Sequence, residues 1–130
     1  MSEKVWNITK YEIRQYAQAT ENLEPACMEE TYAKECGFRS IIAPTSFCAQ
    51  YQMYQDPLAK VPTGGVHTKQ KMIFFKPIQA GDRITAKTEV TESKDAKDRR
   101  LIIYTTEFVN QDGDTVCMGE MTNMIPTPKA

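Results

Sequence analysis

Pro44-Thr45-Ser46-Phe47-Cys48-Ala49-Gln50-Tyr51-Gln52-Met53-Tyr54 stands at the centre of this chain, and a change of hydrophobic period follows it near Gly64-Gly65. Pro44 suits a helix start. Phe47, Cys48, Tyr51 and Tyr54, with Ala49 and Met53, make the segment apolar over much of its circumference, which predicts a buried helix over about 45–54. Beyond Gly64-Gly65 the pattern alternates. Strands are expected from Val66 to Lys76, ended by Pro77, then from Arg83 to Glu92, Leu101 to Asn110 and Thr115 to Ile125. Ala80-Gly81-Asp82 and Gln111-Asp112-Gly113-Asp114 supply turns, and the charged run Ser93 to Arg100 reads as a hairpin tip. Upstream of Pro44, Thr9-Lys10-Tyr11-Glu12 is a capping box that predicts a helix over Lys10 to Ala19, with Ile13, Tyr16 and Ala17 on its apolar face. A second helix is expected over Glu29 to Cys36, with Gly37 as its left-handed stop. Short helices, a buried helix and then four antiparallel strands describe an α+β domain whose curved sheet wraps the long helix.

Length and charge bound the function classes. A chain of 130 residues makes one domain, 1–130, with a core that needs no disulfide or metal. Its 16 basic and 17 acidic residues give a formal net charge of -1, so no basic face for nucleic acid and no polybasic membrane signal is present. No stretch approaches the roughly 18 to 20 apolar residues of a membrane span, and the first residues carry no leader pattern, so a cytoplasmic protein is expected. Cys27, Cys36, Cys48 and Cys117 form no C-x-x-C pair, and His67 is the one histidine, so no metal is expected and the thiols should be free.

Several segments, in order, resemble the MaoC-like hydratase and dehydratase family, in particular its FAS1-like N-terminal dehydratase domain, which has the hot-dog fold. They are Tyr16-Ala17-Gln18-Ala19-Thr20 leading into Asn22-Leu23-Glu24-Pro25-Ala26-Cys27, then Ile42 to Phe47, Gly65-Val66-His67, and Lys76-Pro77-Ile78-Gln79-Ala80-Gly81-Asp82. The resemblance implies a dimeric hot-dog domain and an acyl-CoA or acyl-carrier-protein thioester as substrate, with no cofactor. Active members resemble one another at a loop written D-x-N-P-x-H, whose Asp and His handle water and a proton during hydration of a 2-enoyl thioester. Laid on this chain, Pro25 matches, but Asn22 takes the Asp place, Glu24 the Asn place and Cys27 the His place. An amide can orient water without accepting its proton, and a thiol near its ordinary pKa of about 8.5 is a poor base at neutrality.

The rest of the family's site depends on backbone. Amides of Thr45, Ser46 and Phe47, after Pro44, are the expected oxyanion donors for a thioester carbonyl. Gly65 and Lys76 are further candidates for substrate contact, Lys76 through the phosphates of CoA or of a carrier arm. His67, as the one histidine, is of the side-chain type suited to proton transfer near neutrality and matches a histidine of the N-terminal dehydratase domains, so it is a weaker catalytic candidate. The favoured expectation is a binding subunit whose partner, a catalytic MaoC-like chain, supplies Asp and His. A self-sufficient homodimeric hydratase using Asn22 with Cys27 or His67 is the alternative, beside a hot-dog thioesterase, which wants a carboxylate on the long helix where only Asp56 is near, and a purely structural role. The strand after the helix would leave an open edge, which also favours dimerisation.

Overall fold

A computed structural model describes residues 2–56 and 64–126. Five strands, β1 (Ser2–Asn7), β2 (Val66–Phe74), β3 (Arg83–Ala96), β4 (Arg99–Val109) and β5 (Thr115–Pro126), form one antiparallel sheet in the order β1-β3-β4-β5-β2. The helices are α1 (Lys10–Ala19), α2 (Pro25–Met28), α3 (Glu30–Glu35) and α4 (Phe47–Gln50), the last running directly into a π-helical turn, Tyr51–Gln55. This is the expected α+β hot-dog arrangement, with the central helix laid on one face of the sheet.

Helix α1 has the bounds its cap predicts. Thr9 Oγ1 accepts from the Glu12 amide at 3.1 Å, and Ile13 and Ala17 are buried. The other half of the box differs: the Glu12 carboxylate accepts from Trp6 Nε1 at 2.9 Å, tying β1 to α1. Trp6 in turn stacks on Phe47 at 5.0 Å and on Tyr51 at 5.8 Å, while Tyr51 meets Phe108 of β4 edge-on at 5.7 Å. Aromatic rings therefore join the first strand, the central helix and the middle of the sheet in one core that also holds Ile13, Ile41, Ile84 and Ala86.

The structure corrects several sequence expectations. The sheet has a fifth strand, β1, which pairs with β3 from Ser2↔Thr88 to Asn7↔Arg83. The expected helix over Glu29 to Cys36 is α3, Glu30–Glu35, preceded by the separate single turn α2; Gly37 does stop it in the left-handed region, at φ 95. Thr45 and Ser46 lie in a turn, so the central helix begins at Phe47. Its second half is π-helical, with Asp56 N donating to Tyr51 O at 2.8 Å. That wider winding turns both Tyr51 and Gln52 inward, each 0% exposed. The side chains of Met53 and Tyr54 lie outside the described residues. The charged tip expected over Ser93 to Arg100 is mostly strand, because β3 and β4 pair as far as Ala96↔Arg99 around Lys97, itself at φ 53. Strand β2 ends at Phe74 rather than Lys76, and Phe74 and Phe75 are 46% and 57% exposed.

Candidate functional site

Three loops meet beside the start of the central helix. Residues 41–43 run between two others: Ile42 N donates to Ala26 O at 3.0 Å, Ala43 N to Ile78 O at 2.7 Å, and Ala80 N to Ile41 O at 2.9 Å. The segment Lys76 to Asp82 is shaped for this. Asp82, buried, accepts from the Gln79 amide at 2.9 Å and pairs with Arg39 Nη2 at 2.5 Å, while Gly81, at φ 92, sends its amide to Ile8 O at 2.8 Å. A left-handed backbone there is why glycine occupies the position.

These loops, with β2 and β5, enclose an apolar cavity of about 300 Å³. Pro44 and Thr45 form one wall with Ile42 and Ala43, Cys48 and Cys117 the inner wall, and Phe74, Phe75 and Lys76 the outer one. The Cys48 thiol, hydrogen-bonded to Cys117 and buried, is pushed well above its ordinary range, so it presents a neutral surface to the cavity. Lys76 Nζ reaches Asp114 at 2.8 Å, and both side chains are about half exposed. A second, polar cavity of about 220 Å³ shares Lys76 and Pro77 with the first and is otherwise lined by Arg39, Gln79, Asp82 and residues 110–112 and 114.

Of the residues singled out from sequence, Pro44, Thr45 and Lys76 line the apolar cavity. Ser46 stands behind it, its hydroxyl sharing a 2.6 Å hydrogen bond with Tyr16 Oη. Phe47 is a core residue, 0% exposed, and its amide donates to Pro44 O at 2.9 Å, so that amide is held within the turn. Gly65 precedes β2 and does not line the cavity. Neither does His67, whose Nε2 lies 3.1 Å from Gln70 Oε1 on the same strand.

The Asn22 to Cys27 loop begins where α1 ends. Glu21 adopts a left-handed φ of 57 and Asn22 N donates to Ala17 O at 2.8 Å, turning the chain toward α2 with Asn22 half-buried. Cys27 is 2% exposed and packs in the same core cluster as Cys48 and Cys117. Desolvation, and secondarily the Glu24 charge, push its thiol upward, away from the thiolate. The Ala26 carbonyl bound to Ile42 N brings this loop to the cavity wall, but the Asn22 and Cys27 side chains do not line it. Asp56 is also away from the cavity, 3% exposed, accepting from Ser2 Oγ at 3.0 Å and from Thr88 Oγ1.

Residues 2–118 match the FAS1-like dehydratase domain region. The chain belongs to that family. Among its relatives, the UPF0336 protein of Thermobifida fusca is 29% identical over 118 residues, covering 85% of this chain and 78% of that protein. The mitochondrial 3-hydroxyacyl-[acyl-carrier-protein] dehydratase FERN of Solanum lycopersicum is 25% identical over 112 residues, covering 86% of this chain and 67% of that one. Among solved structures, the HadBC (3R-hydroxyacyl-ACP dehydratase) complex of Mycobacterium tuberculosis shares the fold, with a TM-score of 0.81 at 24% identity, over 93% of this chain and 90% of that one. The FAS1-like dehydratase domain read from the residue motifs is therefore the family of this chain, and its fold is that of the solved hydratases and dehydratases. No helix of the described residues is long and apolar enough to cross a membrane.

The cavity residues that sequence reasoning did not assign to the site include Cys48, Cys117 and Ile78. A signal for part of this was present. Gly119 interrupts an otherwise strand-forming run, a mark of close approach by another group, and the alternation Cys117, Gly119, Met121 puts these residues on one face.

Proposed function

We propose that this chain is the acyl-thioester-binding member of a two-chain enoyl hydratase or 3-hydroxyacyl dehydratase, and that a partner of the same fold supplies the Asp and His. The observation that carries this reading is the pairing of an intact apolar cavity with a loop unable to move protons. At the His place stands a buried thiol whose ionisation is made harder by its surroundings, and at the Asp place an amide. The substrate would be a CoA or carrier-protein thioester, with no cofactor. Its acyl group would fill the space beside Cys48, Cys117 and Phe74, and its thioester would lie against Pro44 and Thr45. Lys76 at the rim, now on Asp114, can exchange that carboxylate for a phosphate oxygen of the arm.

The partner would cover β2, which is an outer strand of the sheet and exposes Val66, Ile73 and Phe74 together with lysines. An apolar outer strand is a pairing surface. The HadBC dehydratase of Mycobacterium tuberculosis, which shares this fold, is a complex. A self-sufficient homodimer is less well supported, because neither Cys27 nor His67 faces the cavity. The thioesterase reading suffers similarly, since Asp56 is turned into the core.

The decisive experiment is hydration of crotonyl thioester by the purified chain, alone and co-expressed with a chain carrying an intact D-x-N-P-x-H loop. No turnover alone and turnover with the partner are expected. Robust turnover by the lone chain would overturn the subunit reading.

A further inference from the structure

The apolar cavity has a definite inner end. Its inner wall is made by Cys48 of α4 and Cys117 of β5, both buried, and Phe74 of β2 lines its outer side. One step further in on the same faces stand Gln52, one turn along the helix, with Gly119 and Met72, two residues along their strands. These three are in contact. Gln52, 0% exposed, donates from Nε2 to Gly119 O at 3.0 Å and to Thr106 Oγ1 at 2.9 Å, and its Oε1 accepts from Gln70 Nε2 at 2.6 Å. A Cβ at position 119 would overlap Gln52 Oε1 and stand 3.0 Å from Met72 Sδ. Gly119 is thus the strand residue that lets the glutamine side chain lie across the space between helix and sheet.

Behind this layer the interior stays polar. Thr106 shares a 2.7 Å hydrogen bond with Thr88, and Thr88 bonds to the buried Asp56 carboxylate. An alkyl chain pushed past Cys48 would have to displace Gln52 and leave Gln70, Thr106 and the Gly119 carbonyl short of a partner, in a place where water cannot replace it.

Resting on the thioester reading above, we propose that this cavity is blind, that Gln52 closes it, and that the chain therefore selects short acyl groups over long ones. At about 30 Å³ for each water-sized group, 300 Å³ holds on the order of ten heavy atoms. The thioester sulfur and oxygen use two of those, leaving room for roughly eight carbons.

The test is equilibrium binding of saturated acyl-CoAs, from butanoyl to hexadecanoyl, to the purified full chain. Burying each added methylene strengthens binding by about fourfold. The affinity should climb at that rate to about octanoyl and then level off or fall. Gln52→Ala should move the break to longer chains. Because that variant strips buried partners and can fail to fold, Cys48→Val, which adds a methyl to the inner wall, supplies the opposite displacement, to shorter chains. An unbroken rise through hexadecanoyl overturns the blind cavity while leaving the thioester reading standing. A folded Gln52→Ala with an unmoved break overturns the role of Gln52. Absence of binding at every length removes the thioester reading and the inference with it.

Discussion

Replacing Tyr51 with phenylalanine should stabilise this protein, even though it deletes a polar group from the middle of the core. The Tyr51 side chain is fully buried and its hydroxyl has no hydrogen-bond partner among the described residues. Desolvation, with the Asp56 charge adding to it, pushes the phenol up to about 12. A hydroxyl buried without a partner costs about 1–3 kcal/mol. Phenylalanine keeps the ring on Trp6 and Phe108 and loses only the packing of one oxygen, so a net gain of about 1 kcal/mol is expected. In a chain of this size that is roughly 3–6 °C in Tm. Urea unfolding followed by Trp6 fluorescence and by circular dichroism should show a higher midpoint with an unchanged slope.

The pH dependence gives a second readout on the same variant. With its folded pKa above the unfolded value of about 10, Tyr51 holds a proton that the unfolded chain has released, so its contribution is complete below pH about 10 and is lost toward pH about 12. That loss is on the order of 2–3 kcal/mol at the upper end. The phenylalanine variant should unfold less readily in alkali, though not without slope, because burial raises Tyr104 as well. A variant destabilised by more than about 1 kcal/mol would mean that the hydroxyl has a partner worth keeping, and the reasoning would fail.

Four other outcomes are expected. Gly119→Ala, whose methyl would overlap Gln52, should destabilise by about 1–3 kcal/mol in urea unfolding, and a neutral result would mean that Gln52 is free to swing away. Trp6→Ala removes the stack on Phe47 and Tyr51 and the bond to Glu12, for about 3–5 kcal/mol; a loss below about 1 would deny β1 its part in the core. A thiol titration of the native protein should modify Cys36 quickly and Cys27, packed away from the cavity, only on unfolding, and rapid labelling of Cys27 would contradict the packing. Lys76→Ala should weaken binding of a CoA thioester severalfold at low salt and leave that of the matching pantetheine thioester nearly unchanged; equal losses for both would remove Lys76 from phosphate contact.

Where local chemistry was strong, the structure could be read in advance. The Thr9 cap, the apolar face of Ile13 and Ala17, and Gly37 set α1 and the end of α3, since each acts within a turn or two of chain. The starts of β3 and β5 fell where turn residues cluster. Strand β1 escaped because Ser2–Asn7 buries only Trp6 and carries no alternating apolar signal; pairing with β3 makes it a strand. The π-helical turn escaped for a related reason, as it bonds Gln52 to Thr106 and packs the Tyr51 ring on Phe108 through tertiary contacts that no helical period encodes.

The order of residues alone established the family, because a family is a statement about chemical groups at positions along a chain; in the proposed reading, Asn22 and Cys27 stand where active members carry Asp and His. That Cys27 is buried with its thiol pushed away from the thiolate, that Phe74 lies open at the end of an outer strand with Phe75 exposed just beyond it, and that Gln52 bars the inner end of the cavity came from folding. Each depends on groups far apart in the chain. Desolvation and steric closure arise between surfaces, and those surfaces exist only once helix, β2 and β5 have packed together.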